Sequence, residues 1–104
     1  MAIEPMRWNE AEDGALSIDT MREKLERLGC TVCLYTYPPG TVFPPHTHAM
    51  DKIDGVLSGR FMMTMQGRSM TLGAGDMLPV PKGISHRAEV IGDEPVVSLD
   101  GTKA

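Results

Sequence analysis

Residues 40–52, GTVFPPHTHAMDK, hold two of the chain's three histidines, and residues 75–86, GDMLPVPKGISH, end on the third. On an extended chain, alternate side chains share a face, so His46 and His48 can reach one ion together. Pro44 and Pro45 stiffen the approach to them. A His-x-His alone is a weak sign of metal binding; here the glycines and prolines around it give it weight. The same punctuation continues outward on both sides. Breaks at 38–40, 44–45, 59, 67, 73, 75, 82–83 and 92–93 separate short runs that read as strands over 30–37, 41–47, 52–58, 60–66, 69–72, 76–80, 86–91 and 95–100. Eight short strands at this spacing predict an all-β sandwich or closed barrel.

Ahead of the strands the period changes. Ile18, Met21, Leu25 and Leu28 recur at helical spacing, with Arg22, Glu23, Lys24, Glu26 and Arg27 on the other face. Ser17 is a suitable N-cap, and Gly29 a suitable stop. The expected organisation is therefore an N-terminal arm over 1–29, carrying an amphipathic helix at 18–28 with a Met21/Leu25/Leu28 stripe, and a barrel over 30–104, in one domain overall. Trp8, the only tryptophan, is expected to anchor the arm against the barrel wall.

At 104 residues there is room for one hydrophobic core. The formal net charge of −4, with no Lys/Arg run to neutralise phosphates, argues against nucleic-acid binding. No apolar stretch approaches the ~20 residues of a membrane-spanning helix, and the acidic N-terminal region does not read as a signal peptide. A cytoplasmic protein is expected. Cys30 and Cys33 form a CxxC, but a spacing of three along a strand puts them on opposite faces, which suits neither a redox pair nor shared metal ligation. The nine methionines read as adaptable core and cavity lining rather than a copper site, and Met62 and Met63 must face opposite ways.

The two quoted stretches resemble the two motifs of the cupin superfamily. The first motif is Gly, five residues, His-x-His, three or four residues, Glu, six residues, Gly; here Gly40, His46, His48, Lys52 and Gly59 occupy those places. The second is Gly, five residues, Pro-x-Gly, two residues, His, three residues, Asn; here Gly75, Pro81, Gly83, His86 and Val90 occupy them. Motifs and gap span about half of the chain. The resemblance implies a double-stranded β-helix, or jelly-roll, barrel of the RmlC-like kind, one divalent metal ion held by His46, His48 and His86 inside the barrel mouth, and a homodimer.

Two positions depart from the pattern. Val90 replaces the motif's Asn, at a place not expected to touch metal. Lys52 replaces the Glu ligand, and an inward ammonium is repelled by about 3 kcal/mol per unit of metal charge at ~5 Å and an effective dielectric near ~20. Lys52 must point away, pair with an acid or lose its proton. Asp54 shares its face, so a Lys52–Asp54 pair beneath the metal is expected; the alternative turns Lys52 to solvent and Asp51 inward as a fourth ligand. Without an assured carboxylate, the triad suits Fe, Ni, Zn or Cu better than Mn. Three protein ligands leave open positions, as catalytic sites do.

Asp100 is the other candidate, because small cupins similar to the uronate-ketonising enzymes of pectin breakdown carry an acid in the corresponding last strand. The expected function is an enzyme acting on a small oxygen-rich anion (a keto acid, sugar acid or β-dicarbonyl) by Lewis-acid or dioxygenase chemistry, with Lys52 or Asp100 moving a proton. The alternative is a non-catalytic sensor of metal or a small ligand.

Overall fold

The computed structural model describes residues 3–104. Among the described residues, nine strands form two antiparallel sheets: β1 (Met6–Arg7), β2 (Cys30–Tyr37), β3 (Val42–His46), β4 (Lys52–Ser58), β5 (Arg60–Met65), β6 (Arg68–Leu72), β7 (Asp76–Val80), β8 (His86–Ile91) and β9 (Val96–Lys103). One sheet has the order β1-β7-β4-β9-β2, the other β3-β8-β5-β6. This is the all-β double-stranded β-helix expected, with a short N-terminal helix. Alternation forms these strands: in β5, Phe61, Met63 and Met65 are buried while Arg60, Met62 and Thr64 are not. Facing residues of the two sheets, among them Val56, Phe61, Met63, Leu72, Leu78, Val80, Val90 and Val96, make the main core.

The helix α2 (Ile18–Arg27) covers the outer face of the five-stranded sheet. Its start is a capping box: the Thr20 amide donates to Ser17 Oγ and the Ser17 amide donates to Thr20 Oγ1. Met21 and Leu25 are wholly buried and join Ile53, Met77, Leu99 and Cys30 in a second core. Gly55 permits this approach, because a Cβ there would lie 2.7 Å from Met21 Sδ. Leu28 does not complete the stripe. It is the C-cap, outside the last helical turn, and is 39% exposed.

The strand β1 and the short helix α1 (Glu10–Asp13) carry no periodicity long enough to announce them. They seat Trp8, which lies against Gly75, donates from Nε1 to Gly14 O at 2.9 Å, and has Lys24 Nζ 5.5 Å from its ring centroid. Arg7 pairs with Asp76, and Lys24 with Asp13 at 2.7 Å. Among the described residues, no helix is long and apolar enough to cross a membrane.

Candidate metal centre

His46 ends β3 and His86 begins β8, and the two are register partners across the strand pair. His48 follows in the connecting loop, which is tied down where the Gly83 amide donates to His48 O at 3.0 Å. Gly83 sits at φ +77° in the turn closed by the Ile84 amide on Pro81 O, a conformation that side chains rarely adopt. The motif's Pro-x-Gly thus folds the chain back so that His86 arrives beside His46. Ring centroids are 4.2 Å apart for His46–His86 and 4.9 Å for each pair involving His48. One ring nitrogen from each lies within 4.8 Å of the others, a cluster that can hold one ion.

The main chain also decides which nitrogen is offered. His46 Nδ1 lies 2.7 Å from Pro44 O and His86 Nδ1 lies 3.0 Å from Ile84 O. A carbonyl oxygen only accepts, so both Nδ1 atoms carry a proton, and in the neutral imidazole Nε2 is then the nitrogen with the lone pair. Burial above all, with the neighbouring His46 adding to it, pushes the His86 pKa down; burial, then His86, Lys52 and His46, does the same to His48. Both shifts favour the neutral imidazole that a metal requires. The donor set therefore fits a divalent ion.

Beneath the triad lies a cavity of about 320 Å³ between the sheets, walled by Tyr37, Phe43, Phe61 and Met63 and floored by Asp54, Ser98 and Asp100. Asp100 lines the cavity. Lys52 is not among the lining residues. Its ammonium is directed along the inner face, donating to Asp100 Oδ2 and Thr102 Oγ1, each at 2.9 Å. The expected Lys52–Asp54 pair is therefore corrected to Lys52–Asp100. Asp51 is not a fourth ligand either: it is exposed, its Oδ1 accepts from the Lys82 amide at 2.8 Å, and its carbonyl accepts from the Lys103 amide. Val90 lies in the apolar core, away from the histidines.

Asp54 lies on the inner face that strand parity predicts, but its neighbour is not Lys52. It stands directly across from Asp100 in the β4–β9 register. Burial, and then the Asp100 charge, pushes its pKa up to about 7. The same two carboxyls, after burial, push Tyr37 up to about 12, so its phenol stays protonated. Cys30 is buried under α2 while Cys33 is exposed opposite Asp100, and both are free thiols. They lie on opposite faces, as the spacing of three requires.

The sequence profile of the cupin domain matches residues 33–101. Germin-like protein 9-3 of Oryza sativa is 39% identical over 69 residues, which are 61% of this chain and 32% of that protein. The match thus takes in only about a third of the germin-like relative's length. Among solved structures, a mutant of Bacillus subtilis oxalate decarboxylase superposes with TM-score 0.64 at 33% identity, covering 72% of this chain and 22% of that one. KdgF from Halomonas superposes with TM-score 0.60 at 26% identity, covering 73% and 72%. With two motifs in place, the predicted sheets formed and the profile spanning both, this chain belongs to the cupin family.

Proposed function

We propose that the chain binds one divalent metal ion through His46, His48 and His86 and acts on a small oxygen-rich anion in the cavity beneath them. The observation that carries this reading is the pair of main-chain clamps on His46 and His86, which leave unprotonated nitrogens for one ion above the 320 Å³ cavity. A bound ion would supply Lewis acidity to two ligand oxygens, or with iron the means for dioxygenase chemistry. The residues of this chain do the rest. Tyr37, Phe43 and Phe61 exclude water from the cavity wall, Asp100 faces the ligand, and Lys52 orients Asp100 by donating to its Oδ2.

Fe, Ni, Zn or Cu fits three imidazoles better than Mn. A Bacillus subtilis oxalate decarboxylase of similar fold has Mn(II) centres, but here Lys52 stands where the cupin motif supplies a carboxylate. Lys52→Glu should accordingly raise Mn affinity by about tenfold, ~1.4 kcal/mol, in parallel titrations of parent and variant. Equal affinities in both proteins would remove Lys52 from any role in metal choice.

One observation favours a binding or sensing role instead. Lys52 and Asp100, the two expected proton carriers, neutralise each other. Metal analysis of untagged protein, followed by turnover and oxygen-uptake screens on small keto acids and β-dicarbonyls, separates the readings. Tight metal and ligand binding without turnover would establish the sensor. Free thiols suit a reducing compartment such as the cytoplasm. Exposed Leu34, Tyr35 and Val42 on the free edges β2 and β3 suit a homodimer.

A further inference from the structure

We infer that Asp54 and Asp100 form a one-proton carboxyl pair in the cavity floor, with Asp54 the acid, Asp100 the carboxylate and Lys52 its counter-ion. Asp100 Oδ2 accepts from Lys52 Nζ at 2.9 Å, but Asp100 Oδ1 is buried and has no donor among the described residues. A buried carboxylate oxygen without a donor is costly. The side chain directly across the strand pair is Asp54, on the same inner face and lining the same cavity. Cross-strand neighbours of this kind have Cβ atoms about 4.5–5.5 Å apart, within reach of a carboxyl–carboxylate bond. Asp54 can satisfy Asp100 Oδ1 only by donating, and a carboxyl group donates only when protonated.

Every other group facing the pair leaves that proton in place. On β4 the charged neighbour is Lys52, which is occupied by Asp100 and Thr102. On β7 the register partner of Asp54 is Leu78, which carries no charge. From β2 come Cys33, the register partner of Asp100, with Tyr35 and Tyr37, and the Tyr37 phenol is held protonated. From the other sheet and its loop come His46, His48 and His86, and among the described residues no hydrogen bond or ion pair joins either carboxyl to them. Two ionised carboxylates side by side would repel each other, so one retains its proton to near neutral pH.

The consequence for the site deepens the proposed function and rests on it. Lys52 plus a pair carrying one proton sums to zero charge, so the cavity floor does not repel an anion. The pair presents an O–H as well as carboxylate oxygens, which favours a ligand whose inner end carries a carbonyl or hydroxyl oxygen over one that ends in a cation. Asp54 thereby becomes a ligand-selecting residue.

The test is a pH titration of the metal-free protein with ¹³C-labelled aspartate side chains, read by NMR, alongside Asp54→Asn and Asp100→Asn. In the parent, two aspartates should respond to a single event with a midpoint near about 7. Asp100→Asn should move the Asp54 midpoint down by more than about one pH unit, since the like charge is gone. Asp54→Asn should abolish the event near neutral pH, since an amide does not titrate there. If every parent carboxyl is ionised by about pH 5, the pair does not exist, and that readout needs no variant to fold. Repeating the parent titration with zinc separates this inference from the metal assignment. If zinc leaves the histidine signals unmoved while the aspartate event persists, the metal reading fails and the carboxyl pair stands.

Discussion

The two faces of the β4–β9 strand pair share one backbone and do opposite things. Facing α2 are Ile53, Leu99 and two glycines, Gly55 and Gly101, packed against Met21, Leu25 and Cys30. Facing the other sheet are Lys52, Asp54, Ser98, Asp100 and Thr102, which carry charge and hydrogen bonds. Alternation makes this division possible within single strands. The helix face is tuned for burial, so its polar cost is nil and its loss is a loss of fold. The cavity face keeps polar groups that burial penalises, and that cost is the mark of a site.

Substitutions should therefore separate cleanly by face. The largest effect is expected at the cavity's metal end. His86→Ala should weaken metal binding by more than the roughly 10–100-fold that loss of an outer-shell partner costs. The rise in melting temperature expected on adding metal to the parent should be absent from the variant. Unchanged metal content in calorimetric titration would remove His86 from the centre.

On the helix face, Leu25→Ala should cost about 2–5 kcal/mol in urea unfolding, because Leu25 is wholly buried. Metal stoichiometry should be unaltered. A loss under about 0.5 kcal/mol would mean that α2 merely rests on the sheet.

A third substitution sharpens the contrast by making it depend on pH. The Asp54 pKa is raised in the fold, to about 7, above an unfolded value near ~3.9. Its contribution is therefore fully present below the unfolded value and is lost as pH rises through about 7. Asp54→Asn cannot ionise, so relative to parent it should gain on the order of 2 kcal/mol between about pH 5 and pH 8. A parallel pair of stability curves over that range would place Asp54 in a solvated setting.

The smallest expected effect lies at the helix start, where Ser17→Ala removes one arm of the capping box. A loss of about 1 kcal/mol is expected, again with metal affinity untouched. Coupled changes in affinity would show that the two faces are not independent.

Much of this organisation is legible in the sequence. The boundaries of β2, β4, β7 and β8 follow from alternation and from Gly/Pro breaks. The Pro-x-Gly turn that brings His86 beside His46 is a local fact, whereas His48 lies in the loop beyond the end of β3, outside the strand parity that its spacing from His46 predicts. The acid that pairs with Lys52 is not a local fact. Asp54 shares its strand and face with Lys52, but residues i and i+2 of a strand lie about 6.8 Å apart. Asp100 is diagonal to Lys52 across the β4–β9 pair, at about 7–8 Å, so separation alone does not choose between the two acids. Asp100 wins through the β4–β9 register, which nothing in the long run of chain between the two strands spells out. Leu28 departs from expectation for a similar reason, since the spacing continues past the place where the hydrogen-bonded helix stops. Two-residue β1 has no period at all.

The clamps on His46 and His86 come from peptide carbonyls, those of Pro44 and Ile84. A point mutation can delete a side-chain partner, but it cannot delete a carbonyl of the backbone. The head of this site is thus insulated from drift in the residues beneath it. The floor can therefore change, by exchange of an acid or a lysine, without disturbing the means of aiming the imidazoles. Lys52 illustrates it: it stands where the cupin motif has Glu, and its ammonium is taken up by Asp100 and Thr102 while the triad above is held by its own backbone.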